Sequence, residues 1–365
     1  MALQCGIIGI TNVGKTTIFN CISNTRGETH SFAFNATKTN IGVVQVPDQR
    51  LYEIERHQVT DKVVHTTIEL VDIPGLAKGS NRGEGVGNKF LGDIRNTDAL
   101  IHVLRCFDNE ALPHIDGSVD PVRDIETIDL ELQVKDVESV EKKIERLRKA
   151  SKAGDKDAIH GMEVLDRYRL HIEGFNNARS LAVKDDERKY IDDLFLFTMK
   201  PVMYVCNVDE NSAVNGNHYV DRVNEFLKNK QSEVLVIAGA LEAEIAELEN
   251  KEDRLAFLKD AGLDEPGVDK LVRAAYRLLN LQTFFTKGPK EIRAWTIKKG
   301  MTALQAAGVV HSDFERGFIR AEVMKCHDFV TLGSEHACKE AGRFHVEGKN
   351  YVVNDGDILY IRFNV

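Results

Sequence analysis

The chain has 365 residues, 42% hydrophobic and 29% charged, with a formal net charge of −9. That length supports two or three domains with substantial cores, and the acidic balance excludes a molecule that binds nucleic acid over its whole surface. It contains no run of 18 apolar residues and no N-terminal apolar signal segment, so no membrane association and a cytoplasmic location are expected.

Residues 3–10 read as a short apolar strand, and residues 15–23 as a helix. Between them lies Gly9-Ile10-Thr11-Asn12-Val13-Gly14-Lys15-Thr16, a glycine, four residues, then Gly-Lys and a hydroxyl residue. Triphosphate binding needs this spacing. Glycines let successive backbone N–H groups turn inward on phosphate oxygens, and the following helix aims its positive end at the same anion. Lys15 then reaches the β- and γ-phosphates, Thr16 sits on Mg²⁺, and Asn12, Val13, Gly14 and Thr17 complete the cradle.

Further apolar runs occupy residues 42–46, 66–72, 99–105, 202–207 and 234–238. Most are uniformly apolar, as strands buried on both faces of a mostly parallel sheet are. The expected architecture is a doubly wound α/β P-loop domain with its ligand beyond the carboxyl ends of the strands. At such an end lies Val71-Asp72-Ile73-Pro74-Gly75, where a carboxylate can hold the Mg²⁺ hydration shell and the Gly75 N–H can meet the γ-phosphate. Behind it, Gly79, Gly83, Gly85 and Gly87 are too dense for a regular element and suit a switch ordered by the γ-phosphate. Leu76 stands where many GTPases carry a water-orienting Gln. Leucine has no hydrogen-bonding group, so the water is positioned by another residue or turnover is slow.

Residues 128–200 interrupt the strand–helix alternation. Leu130, Val134, Val137, Val140, Ile144 and Leu147 recur at helical spacing, a turn at Gly154 follows, and Met162, Leu165 and Ile172 mark a second helix. An inserted antiparallel helical hairpin is expected, with residues 1–127 and 201–280 forming the nucleotide-binding domain. Asn207-Val208-Asp209-Glu210 ends the 202–207 run. The guanine-reading motif at this place is Asn-Lys-x-Asp, whose Asp accepts from guanine N1–H and the 2-amino group. Val208 and Glu210 replace its Lys and Asp, which removes the main reward for guanine and leaves Asn207 with nearby backbone to read adenine.

Past helical residues 271–281, short strands are expected at 293–296, 318–323, 350–353 and 358–363, with a helix at 301–307 and a turn at Asp355-Gly356-Asp357. This α+β module carries 12 Lys and Arg against 10 Asp and Glu from residue 283 onward, an excess that permits RNA contact without demanding it. The six cysteines have no paired spacing, and the Cys326-His327 and His336–Cys338 neighbours have no second pair to complete a zinc site.

Together, Gly9–Thr16, Asp72–Gly75 with Leu76, the glycine-rich switch, Asn207–Glu210 and the C-terminal module resemble the YchF-type Obg-like ATPases, over essentially the whole chain. The resemblance implies a translation-factor-class P-loop NTPase that prefers ATP. It implies a β-grasp-like TGS domain at 281–365, associated with RNA or ribosome contact. Leu76 is then the usual residue, and His114 is the candidate that orients or deprotonates water. Asn12 matches the asparagine of potassium-stimulated relatives, which adds K⁺ to Mg²⁺ as an implied cofactor. Two segments depart from the family pattern. The switch threonine falls on Ala36, leaving the adjacent Thr37 as the candidate metal ligand, and the cysteine linked to redox regulation falls on Asn35. In the segment 237–242 the usual hydroxyl or thiol is missing, and the backbone near Ala240 is left to hold the base.

The expected activity is slow Mg²⁺-dependent hydrolysis of ATP by a monomer that works on or near the ribosome. The alternatives are a guanine-specific GTPase, and a ribosome- or RNA-binding module in which nucleotide only sets the shape.

Overall fold

The computed structural model describes residues 3–24, 40–75, 86–230, 232–248 and 250–364. Thr37, Ala36, Asn35, Leu76 and the glycines at 79, 83 and 85 lie outside them, whereas Gly87, expected in a stretch without a regular element, lies in the first turn of a helix spanning Val86–Asn96. The chain divides into two compact units, residues 1–42 with 69–271, and residues 43–68 with 272–365.

In chain order the elements begin with β1 (Gln4–Ile8), α1 (Lys15–Asn24), β2 (Asn40–Gln45), α2 (Gln49–Arg56), β3 (Val63–Val64) and β4 (Thr67–Asp72). Next come α3 (Val86–Asn96), β5 (Ala99–Cys106), α4 (Pro121–Lys152), α5 (Lys156–Glu173) and β6 (Val202–Val208). The first unit ends with α6 (His218–Leu227), β7 (Val234–Ile237), α7 (Gly239–Glu247), α8 (Lys251–Asp260) and the start of α9 (Gly267–Leu278). Its sheet has the order β2-β4-β1-β5-β6-β7, and β1 pairs in parallel with both β4 and β5. The β5–β6 and β6–β7 pairs are parallel too. All eight residues of β5 are buried, which is why this run is mostly apolar rather than alternating, with only His102 and Arg105 as polar side chains.

The hairpin grows out of the sheet's own crossover. Helix α4 starts at Asp120, whose carboxylate caps the N–H groups of Val122 and Arg123, with Pro121 at the first helical position. Its first turns bury Ile125 in the sheet core with Leu104, Cys106 and Tyr204. Farther along, Val140 and Ile144 meet Val164, Leu165, Tyr168 and Ile172 of α5. The helix therefore begins seven residues before the expected 128, and its apolar stripe differs from the expected one. Leu130 and Val134 are 46% and 45% exposed. The buried face instead carries Gln133 and Asp136, which a hydrophobic-periodicity reading passes over. Asp136 accepts the N–H groups of Phe197 and Thr198, both at 2.7 Å, and the Thr198 hydroxyl at 2.6 Å. That fastens the 3-10 turn Phe197–Met199 just before the chain re-enters the sheet.

The second unit continues with β8 (Leu281–Lys287), β9 (Ile292–Lys298), α10 (Ala303–Val310), α11 (Ser312–Arg316) and β10 (Phe318–Lys325). It closes with α12 (Cys326–Leu332), α13 (Glu335–Glu340), β11 (His345–Glu347) and β12 (Asp357–Phe363). Its sheet order is β11-β10-β12-β8-β9-β3. One core joins Leu51 and Ile54 of α2 to Phe285, Met324, Phe329 and Ile358, and another joins Phe284 and Ile297 to Ala303 and Ala306 of α10. Three local differences from expectation appear. The apolar stretch around residue 281 leaves the helix at Leu278 and becomes β8, because Asn280 takes a left-handed φ of 56° that breaks it. Residues 350–353 form only the isolated Thr302–Val352 bridge rather than a strand. Residues 43–68 add a helix and a strand to this unit from far upstream. Among the described residues no helix is long and apolar enough to cross a membrane.

Candidate functional site: a nucleotide cleft at the carboxyl ends of β1, β5 and β6

The loop between β1 and α1 has the backbone its glycines allow. Gly9 sits at φ 151° and Gly14 at φ 92°, and a Cβ on Gly9 would lie 2.5 Å from the Val103 carbonyl. A Cβ on Gly14 would run into the Asn207 amide. Asn12 takes φ 63°, a conformation asparagine tolerates better than most residues. Helix α1 has no acidic residue in its first turn, so its N-terminal N–H groups are left to an anion.

Lys15 folds over this loop, with Nζ donating to the Ile10 carbonyl at 2.5 Å. Burial lowers its pKa to about 8, against the opposing pull of Asp72. A cation desolvated to this degree gains from an arriving triphosphate. Gly75 lies beside it, since a Cβ there would stand 2.8 Å from Lys15 Nζ and 3.2 Å from the Ile10 carbonyl oxygen. The Thr16 hydroxyl donates to Asp72 Oδ2 at 3.1 Å. Asp72 Oδ1 is buried and accepts no hydrogen bond of normal geometry. Burial raises the Asp72 pKa, opposed by the Thr16 hydrogen bond, by Lys15 and by the Asn40 side chain. A hydroxyl and a buried carboxylate, next to a phosphate cradle, is the oxygen donor set that suits a hydrated divalent cation.

The cleft beyond this loop has a volume of about 740 Å³. Asn12, Gly14, Lys15, Thr16, Thr17, Asn207, Val208, Glu210 and Ala240 all line it, so the structure brings together most of the residues expected from sequence. Val13 is buried beneath it and contributes its backbone. Asn207 is committed to backbone: its Nδ2 donates to the Val13 carbonyl at 2.8 Å and its Oδ1 accepts the Gly239 N–H at 2.9 Å. With both amide atoms engaged, it ties the phosphate loop to the start of α7 instead of facing the base as expected, which leaves the base side to its neighbours. Asp209 is likewise occupied, capping Ser212.

His114 is placed differently. It does not line the cleft, and its side chain is 3% exposed. Nε2 lies 3.2 Å from Asp124 Oδ2, Nδ1 accepts the Asp116 N–H at 3.1 Å, and Arg123 stands 3.4 Å from Nδ1. Burial raises the Asp124 pKa, with the His114 hydrogen bond acting against it. His114, Asp116 and Asp124 are close enough to share a metal ion. The Arg123 guanidinium already supplies that cluster's positive charge, at 3.7 Å from both carboxylates. The loop nevertheless touches the phosphate cradle, because the Asn12 amide donates to the Pro113 carbonyl at 3.2 Å.

Sequence reasoning missed the opposite wall, formed by Phe107, Asp108, Asn109 and Leu112 after β5, together with Asn211 and Gly239. The signal was available, since β5 is the neighbour of β1 and its carboxyl end must border the phosphate loop.

Fold and site define a P-loop nucleotide-binding protein of the GTPase type with an inserted helical hairpin and a second α/β unit. Residues 4–149 match the family model described as 50S ribosome-binding GTPase, and residues 281–364 match the YchF-GTPase C-terminal model. The chain is 47% identical to the ribosome-binding ATPase YchF of Haemophilus ducreyi and 45% identical to that of Bacillus subtilis, each over 100% of both chains. The solved structure of the Schizosaccharomyces pombe YchF GTPase superposes with a TM-score of 0.87 at 32% identity, covering 99% of this chain and 98% of that one. The chain belongs to the YchF family.

Proposed function

We propose that this chain is a Mg²⁺-dependent ATPase that hydrolyses ATP to ADP and phosphate and acts as a nucleotide-controlled switch on the ribosome. The observation that carries the reading is the preformed cradle of Gly9–Thr16 facing a base-side corner with Val208 and Glu210 in place of the guanine-reading pair. Ribosome binding comes from the names of the YchF relatives. The helical hairpin of residues 128–200 and the TGS-like module of 281–365 are the surfaces offered to it.

Lys15 neutralises phosphate charge as its ammonium leaves the Ile10 carbonyl. Thr16 and Asp72 would hold Mg²⁺, which when bound would supply positive charge to the β- and γ-phosphate oxygens. Thr37 is the further metal ligand in this reading. The Gly75 N–H senses the γ-phosphate from beside Lys15. The adenine lies against Phe107, Leu112, Val208 and Ala240, with Glu210 at its rim. Catalysis by His114 requires its ring to leave Asp124, and the Asn12–Pro113 hydrogen bond gives the phosphate loop a handle on that movement. Release of Pro113 frees the Asn12 amide oxygen and nitrogen to reorient, as K⁺ stimulation would need. The protein works as a monomer in this account.

Lys15→Ala in the full chain tests the reading. Loss of ATP hydrolysis with ribosome co-sedimentation reduced in parallel supports the switch. Undiminished co-sedimentation and undiminished function in cells would favour a binding module in which hydrolysis is secondary.

A further inference from the structure

We infer that Arg105 is a positioning residue that builds the base-side wall of the cleft and the root of the His114 loop. This rests on the nucleotide-binding reading above and names a determinant of base affinity away from the phosphate loop and the Asn207–Glu210 corner.

Arg105 lies near the end of β5, in the middle of the sheet, and is only 2% exposed. Its guanidinium is spent on one short segment of backbone. Nε donates to the Phe107 carbonyl at 3.1 Å, Nη1 to the Leu112 carbonyl at 2.7 Å, and Nη2 to the Asn109 carbonyl at 3.1 Å. The guanidinium carbon also sits 4.8 Å from the centre of the Phe107 ring. Phe107, Asn109 and Leu112 are three of the residues that line the cleft. Residues 107–112 have no strand or α-helix to fix them, so a single planar fork does what a ladder of hydrogen bonds would do elsewhere. With these carbonyls turned down onto Arg105, the side chains of the segment form the wall.

The buried cation takes its compensation from carbonyl dipoles aimed at it. Lysine has the charge but is a point donor and cannot span three carbonyls in one plane. The segment runs straight into Pro113, whose carbonyl meets Asn12, and then His114. Arg105 thus sets where the base wall stands, and through the same loop sets the distance His114 must travel.

The test uses the full chain and two probes, ATP and inorganic tripolyphosphate, each titrated against wild type, Arg105→Met and Arg105→Lys. Tripolyphosphate reads the cradle alone, whereas ATP reads cradle and wall. Arg105→Met is expected to weaken ATP by about tenfold or more while tripolyphosphate stays within about twofold. The ATP-to-GTP affinity ratio should fall with it, and amides 108–112 should exchange with deuterium faster. Arg105→Lys should recover only part of the ATP loss. ATP affinity unchanged in Arg105→Met, or ATP and tripolyphosphate weakened equally, would overturn the assignment. If Arg105→Met fails to fold, the same ratio in Arg105→Lys decides. A wild-type chain that binds tripolyphosphate and no purine nucleotide would refute the function reading instead, and exchange of 108–112 would still report on Arg105.

Discussion

Replacing Asn207 with alanine probes how the cleft is held together. Its amide is 5% exposed and bridges two elements, donating to the Val13 carbonyl at 2.8 Å and accepting the Gly239 N–H at 2.9 Å. Alanine leaves both backbone groups buried and unpaired. A buried polar group without a partner costs about 1–3 kcal/mol, so the pair predicts a loss of roughly 2–6 kcal/mol in unfolding free energy. Asn207→Asp keeps an acceptor for Gly239 but sets a carboxylate oxygen against the Val13 carbonyl, so it should recover at most half. Urea denaturation at constant m-value measures the stability, and titration measures the affinity. Because the bridge shapes the cradle, ATP and tripolyphosphate affinities should fall together, by about tenfold or more. Stability within about 0.5 kcal/mol of wild type, or a loss confined to ATP, would refute this reasoning and make Asn207 a base reader.

Other perturbations give equally direct outcomes. Lys15 titrates near pH 8 in the free protein, and only its protonated form attracts phosphate, so ATP affinity should decline as pH rises through about 8 to 9.5, by up to about tenfold per pH unit. Lys15→Met should show weak affinity without that slope. Gly75→Ala puts a methyl against Lys15 and the Ile10 carbonyl, so hydrolysis should fall by about tenfold or more while ADP affinity is nearly kept, as single-turnover and ADP titrations would register. Asp136 is held up to a pKa of about 6 by burial, above its unfolded value of 3.8, so its contribution to stability is full below about pH 4 and is lost as pH rises through 6. At 1.4 kcal/mol per pKa unit the difference is about 3 kcal/mol, and Asp136→Asn should remove it from the pH profile of urea midpoints.

The phosphate loop was legible because its backbone permits so few residues. Gly9 and Gly14 stand where a side chain would strike Val103 or Asn207, so the chemistry is written in the letters themselves. The central strands were legible for a related reason. A strand like β5, covered on both faces, has no place for a polar alternation. Features made by distant partners were less legible. The inward face of α4 carries Asp136 because a turn some 60 residues later supplies three donors, and nothing near Asp136 announces that turn. Arg105 looks like an interruption of an apolar run until the loop it grips is seen beneath Phe107. His114 drew attention as an imidazole in a loop near a phosphate site, yet its contacts with Asp124 and Asp116 depend on how that loop folds back. The excursion of residues 43–68 into the second unit is a matter of topology, carried by the pairing of β3 with β9 across more than 200 residues of chain.

Competition between ATP and GTP for the purified full chain, with Mg²⁺ present, tests the central claim most directly. The account predicts that ATP displaces a bound fluorescent nucleotide at a concentration about tenfold or more below that needed for GTP. Equal potency, or GTP acting at the lower concentration, would contradict it.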